Sequence, residues 1–327
     1  MSLLSLVLGL VCALGILMLM ALLGLLARIF MTYQQEELES LHDLSIDPDG
    51  VEKYLSMADG ASIRSWHKGS GPAVVLVHDA GLSSVTMNRM WKSLAGYGFQ
   101  VITYDHRGHG ASTVGTQGLS IREMVKDLEA VLAYHEVENG ILVGHALGSF
   151  VCQSYLLDAQ SRGEKRIRGF LSVAGFGGNL LKGTPVYRFT RQLWRHKWLS
   201  PLLRNRIFSY VFAATAFGAE MTSSRLRAFL QILNAKPMKR LAPIYAEVLR
   251  KNLYSQLHRL EVPTIITAAE KDDRIPRVHT EALAARIAHA ELIWLDEKYG
   301  NMLPWECPDK LVDMVRSLDT QTTSMLV

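Results

Sequence analysis

The chain has 327 residues, 49% of them hydrophobic and 20% charged, with a formal net charge of +4. That composition supports a packed core and excludes a disordered chain, and the length suits one large domain with an insertion. Three cysteines far apart (Cys12, Cys152, Cys307) show no metal-ligand spacing and require no oxidising compartment.

The first element is apolar. From Leu3 to Ala27 no charged side chain appears, and a bilayer-spanning helix needs roughly 20 such residues. The run is too long for a signal-peptide core and has no basic residue before it, so it is expected to be a retained single-pass anchor. Arg28, the nearest cation, leans the expected orientation towards a cytoplasmic main domain by the positive-inside rule. A polar, acidic stretch follows, with Glu36, Glu37, Glu39, Asp43, Asp47 and Asp49, expected as a juxtamembrane helix or tether.

Strand and helix signals then alternate. Ala61–Trp66, Val74–Val77, Val101–Tyr104 and Ile141–Val143 predict strands, and Ile121–His135 has the apolar spacing of a helix. Gly169–Ala174, Thr264–Thr267 and Leu292–Leu295 predict later strands, with helices over Thr280–Ile287 and Pro308–Leu318. This alternation predicts an α/β fold with a mostly parallel sheet covered on both faces. The expected organisation is an anchor over 1–30, a tether over 31–50, core over 51–177, an inserted helical cap over 178–257, and core again over 258–327.

Five segments carry the chemistry. Val143-Gly144-His145-Ala146-Leu147-Gly148 runs from an apolar strand through Gly-x-Ala-x-Gly into a helix. Val77-His78-Asp79-Ala80-Gly81 follows another strand. Asp105-His106-Arg107-Gly108-His109-Gly110-Ala111-Ser112 forms a glycine-rich turn. The last two are Glu270-Lys271-Asp272-Asp273-Arg274-Ile275-Pro276 and Gly300-Asn301-Met302-Leu303-Pro304-Trp305-Glu306.

In order and context these segments resemble the α/β-hydrolase superfamily, from about Ser62 to Val315. In outline the chain is similar to membrane-anchored lipases and esterases acting on monoacylglycerol-like substrates. The resemblance puts Ala146 at the nucleophile position, where Gly-x-Ser-x-Gly has serine. It puts Asp272 at the acid position, with Asp273 second, and Asn301 at the base position. Ala80 and Leu147 take the oxyanion-hole positions, and Asp79 stands where the family has glycine. Alanine has no oxygen to attack an acyl carbon, and a carboxamide does not titrate near neutral pH. A carboxylate at 79 opposes a developing oxyanion.

Ser149, Ser83 and Ser84 are poor substitutes, because nucleophile, base and orienting group need mutual hydrogen-bond reach. His78, His106, His109 and His145 are expected to brace loop backbones. A metal site from His78, Asp79, His145 and Asp272 lacks ligand spacing. No cofactor and no metal is expected.

The cap segment holds Arg191, Arg195, Lys197, Arg204, Arg206, Arg225 and further cations among aromatics, with Glu220 and Glu247 as its acids. Such a stretch suits an anionic membrane surface, at about 1 kcal/mol per basic residue; an ordinary solvated basic face is the alternative. Nothing suggests nucleic acid.

Two functions follow. One is a non-catalytic homologue that binds an apolar, acyl or lipid-like ligand at a membrane, or a protein partner. The other is a serine hydrolase of acyl esters whose active form has serine at 146 and histidine at 301.

Overall fold

The structure, a computed structural model, describes residues 39–179, 210, 213–236 and 238–324, with isolated positions between 15 and 30. Most of the Leu3–Ala27 run, and Cys12, lie outside the described residues. Among the described residues no helix is long and apolar enough to cross a membrane. The described positions between 15 and 30 are helical, with Ile16, Leu19, Met20 and Phe30 exposed.

The core is an eight-stranded sheet. Its strands are β1 (Val51–Ser56), β2 (Ser62–Lys68), β3 (Ala73–Val77), β4 (Gln100–Tyr104), β5 (Gly140–His145), β6 (Ile167–Val173), β7 (Thr264–Ala269) and β8 (Glu291–Leu295). Their spatial order is β1-β2-β4-β3-β5-β6-β7-β8. β2 pairs antiparallel with β1 and β4, and every other pairing is parallel. The central strands read as unbroken apolar runs because both faces are covered: β3 and β5 are buried at every residue.

The described helices are α1 (Asn88–Gly96), α2 (Ile121–Tyr134), α3 (Leu147–Ser161), α4 (Ser223–Asn234), α5 (Ala242–Val248), α6 (Arg277–Ala284), α7 (Leu303–Glu306) and α8 (Pro308–Ser324). One apolar layer holds Met124, Leu128 and Leu132 of α2 with Phe150 and Val151 of α3 against Val75 and Leu142. The opposite layer holds Trp91 and Leu94 of α1 with Leu311 and Val315 of α8 against Val74 and Val143. Ser120 caps α2 by accepting from the Glu123 N–H at 3.3 Å, a Ser-x-x-Glu start.

The seven expected strands and three expected helices are all present, with ends shifted by a few residues. β1 and α1 were not expected. β1 is a largely exposed edge strand, so it lacks an apolar signature. α1 carries its stripe on Met90, Trp91 and Leu94 within a polar background.

A third apolar cluster joins Phe217, Leu226 and Phe229 to Leu44, Leu82, Met302 and Trp305. It seats the described part of the β6–β7 insertion over the carboxyl ends of the strands. Residues 39–50 form turns, and their acids are paired. Asp47 meets Arg64 at 2.6 Å, and Asp49 meets Lys68 and the Trp91 indole. Glu39 accepts two hydrogen bonds from Arg225, at 3.0 and 3.1 Å. Arg225 is buried, so this cation clamps α4 to residue 39 and does not face a membrane, contrary to its place in the expected basic surface. Arg191, Arg195, Lys197, Arg204 and Arg206 lie outside the described residues.

Candidate functional site

The carboxyl ends of β3, β5, β7 and β8 converge on one site, as open parallel sheets favour. β5 ends at His145, and α3 begins at Leu147. Ala146 between them has φ 46° and ψ −106°, a strained conformation for a residue with a side chain. The flanking glycines permit this turn by close approach. A Cβ on Gly144 would lie 2.5 Å from the Ser149 Cα, and one on Gly148 would lie 2.2 Å from the Val77 carbonyl oxygen. The Ala146 N–H donates to the Val173 carbonyl at 2.9 Å, which fixes the elbow to β6. Its methyl group is buried.

The loop after β3 delivers Asp79, whose Oδ1 accepts from the Leu147 N–H at 3.0 Å. This is the donor expected to serve an oxyanion, and a carboxylate from the same chain now occupies it. The head of α3 favours that negative charge. Ala80 follows in the same loop and is buried. His78 sets the loop: its Nδ1 donates to the Asp79 carbonyl at 2.7 Å, and its Nε2 accepts from the His106 N–H at 3.0 Å. His106 Nε2 donates to the His78 carbonyl, and His109 Nδ1 to the Arg107 carbonyl. Burial, then the neighbouring imidazoles, holds His78 well below its ordinary value, so the ring stays neutral. These histidines brace backbone, as expected.

Asp272 follows β7. Its Oδ1 accepts from the Arg274 and Ile275 N–H groups at 2.7 and 2.9 Å, and its Oδ2 from Asn301 Nδ2 at 2.9 Å. Burial pushes the Asp272 carboxyl above its ordinary range, against the three donors. The Asn301 carbonyl accepts from His145 Nε2 at 2.9 Å, which ties the loop after β8 to the elbow. Asn301 is 1% exposed, and its Oδ1 has no partner. Ser149 points the other way, into a buried contact with Ser172 at 2.7 Å.

Three residues joined the site without being assigned to it from sequence. Arg274 is partly buried and lies over the Phe229 ring, 5.1 Å from its centroid. Burial lowers its guanidinium from the ordinary value, and Asp79, Tyr245 and Asp272 oppose that, Asp79 most. Burial also keeps the Tyr245 phenol protonated. Glu306 accepts from Gly218 N–H at 2.7 Å and Gly300 N–H at 2.8 Å, so it joins the inserted segment to the Asn301 loop. Burial raises its carboxyl to about 7. Arg274 sits two residues from Asp272, a nearness that could have flagged it. Tyr245 gave no signal.

Asp79, Ala146, Leu147, Asp272 and Asn301 are therefore brought together. Among the described residues no group of three or more His, Cys, Asp or Glu could hold a metal ion. The arrangement has one carboxylate on the helix head, a second paired with a carboxamide, and a methyl group at the elbow.

Known proteins share this architecture. A solved hydrolase from Pseudomonas aeruginosa PA01 is 25% identical with a TM-score of 0.69, covering 83% of this chain and 98% of its own. The esterase EaEST from Exiguobacterium antarcticum is alike in fold, with a TM-score of 0.72 at 19% identity, covering 82% and 98%. An epoxide hydrolase from Caballeronia sordidicola is 29% identical over 102 residues, 31% of each chain. Residues 70–303 match the family described as serine aminopeptidase, S33 (Hydrolase_4), and with its eight-stranded sheet and elbow the chain belongs to that family of α/β-hydrolases.

Proposed function

We propose that this family member does not hydrolyse acyl esters and instead holds an apolar or lipid-like ligand at a membrane. The observation that carries the first half is the Asp79–Leu147 hydrogen bond beside the Ala146 methyl group. An acyl-transfer site needs a nucleophile, a base and free oxyanion donors. Ala146 supplies no nucleophile, and Asn301 supplies no titrating base. Leu147 N–H is already engaged. Two unit charges 4 Å apart at an effective dielectric of 20 interact by about 4 kcal/mol. Removing one oxyanion donor costs roughly 2.7–4 kcal/mol. Asp79 thus withholds a donor and adds a repulsion of similar size.

The purified protein should resist labelling by a fluorophosphonate and hydrolyse short acyl esters only at background. Stoichiometric labelling that survives detergent exchange would point to a relocated serine and end this reading.

One observation favours the second function. The Asp272–Asn301 contact at 2.9 Å keeps the pairing an imidazole base would use. An ester hydrolase with serine at 146 and histidine at 301 would need little else on that side. Asp79 argues against it.

The membrane half rests on the uncharged Leu3–Ala27 run and the basic, aromatic residues around Arg191, Arg195, Lys197, Arg204 and Arg206. A spanning helix inserts almost irreversibly. The full chain should therefore stay with membranes through high-salt and alkaline washes. Release by alkali would leave only peripheral attachment.

A further inference from the structure

An acyl hydrolase offers backbone donors to a carbonyl oxygen at the head of the helix after its elbow. Here that donor is spent inside the protein. Leu147 N–H meets Asp79 Oδ1 at 3.0 Å, and Asp79 is only 8% exposed. Displacing a buried carboxylate from its donor is costly, so a ligand meets the site with Asp79 in place.

Beside the donors of Arg274 and Tyr245, two side chains at the site still offer acceptors. An ionised carboxylate has about four lone-pair sites, and Leu147 uses one. Asn301 Oδ1 is a second acceptor, buried and without a partner, because its Nδ2 is turned to Asp272. Among charges, one cation, Arg274, interacts with two carboxylates, Asp79 and Asp272. His145 adds no positive charge, since burial lowers it below its ordinary value.

We propose that the site has reversed its hydrogen-bonding polarity: it takes a ligand whose polar head is a donor, a primary ammonium before a hydroxyl, and rejects carboxylate heads. This rests on the ligand-binding reading above and names the head group that reading leaves open. The same acceptors disfavour an acyl carbonyl.

A matched series tests it: octylamine, octanol and octanoate, each titrated calorimetrically into the full chain at neutral pH. Octylamine should bind at least about tenfold tighter than octanoate, with octanol between them. Asp79→Gly frees Leu147 N–H and removes the charge, so octanoate should tighten and octylamine weaken, each by about tenfold. Asp79→Asn keeps an acceptor for Leu147 and removes only the charge. It should bring octylamine down to octanol, and it decides the matter if the glycine variant fails to fold. Octanoate binding as tightly as octanol to the unaltered protein, or an unchanged order in the variants, overturns the inference while octanol binding upholds the ligand-binding reading. If none of the three binds, both fall together.

Discussion

The turn after β4 and the site after β3, β5, β7 and β8 lie at the carboxyl ends of the parallel strands, yet they treat charge differently. In the turn every buried charge is matched. Arg107 donates to both oxygens of Asp127 at 2.6 and 2.7 Å and to Asp59 at 3.0 Å. Asp105 Oδ1 accepts from the Ser84 N–H and hydroxyl, and its Oδ2 from Ala111 N–H. Two neutral imidazole nitrogens there, His106 Nδ1 and His109 Nε2, lack partners, but no ion does. At the site the groups that would act on a substrate are turned inward: Asp79 onto Leu147, Asn301 onto Asp272. The scaffold around the turn is therefore held by groups outside the candidate site.

The largest effect is expected in the turn. Asp127→Ala leaves Arg107, 1% exposed, without its two-point partner. Breaking a buried pair in this way costs about 3–5 kcal/mol. Urea unfolding should show that loss, whereas Ala146→Ser should change stability by less than about 1 kcal/mol. Equal effects would erase the distinction.

Glu306 gives the next largest effect. Its folded-state value of about 7 lies above the ordinary 4.5, so the folded protein holds a proton that the unfolded chain releases. The stability gained from that proton is present below about 4.5 and disappears as pH rises through about 7. Its size is on the order of 3 kcal/mol. The difference in unfolding free energy between the parent and Glu306→Gln should change across this window and flatten outside it. A constant difference would mean that burial does not perturb the carboxyl.

Much of this molecule was legible in its sequence. Strands β3 to β6 are largely apolar runs followed by glycine-containing turns, and motif order singled out Asp79, Ala146, Asp272 and Asn301. What stayed hidden depends on contacts between distant segments. Arg225 reads as one more cation in a basic stretch until Glu39, 186 residues away, meets it. Glu306 stands in the Gly300–Glu306 segment, but its role needs Gly218 from the inserted segment. That Asp79 would occupy the Leu147 donor, and not merely lie near it, is a matter of side-chain geometry that spacing does not specify.

The proposed absence of acyl-ester chemistry rests on residues 79, 146 and 301. Acyl-ester hydrolysis across a stepwise series measures it most directly: the parent, Ala146→Ser, Ala146→Ser with Asn301→His, and these two with Asp79→Gly. Background rates are expected for the first two, a rise on adding histidine, and a further rise of roughly 10²-fold or more once Asp79 leaves the oxyanion donor. Hydrolysis by the parent above background would contradict it, as would a folded triple variant that remains inert across a broad ester panel.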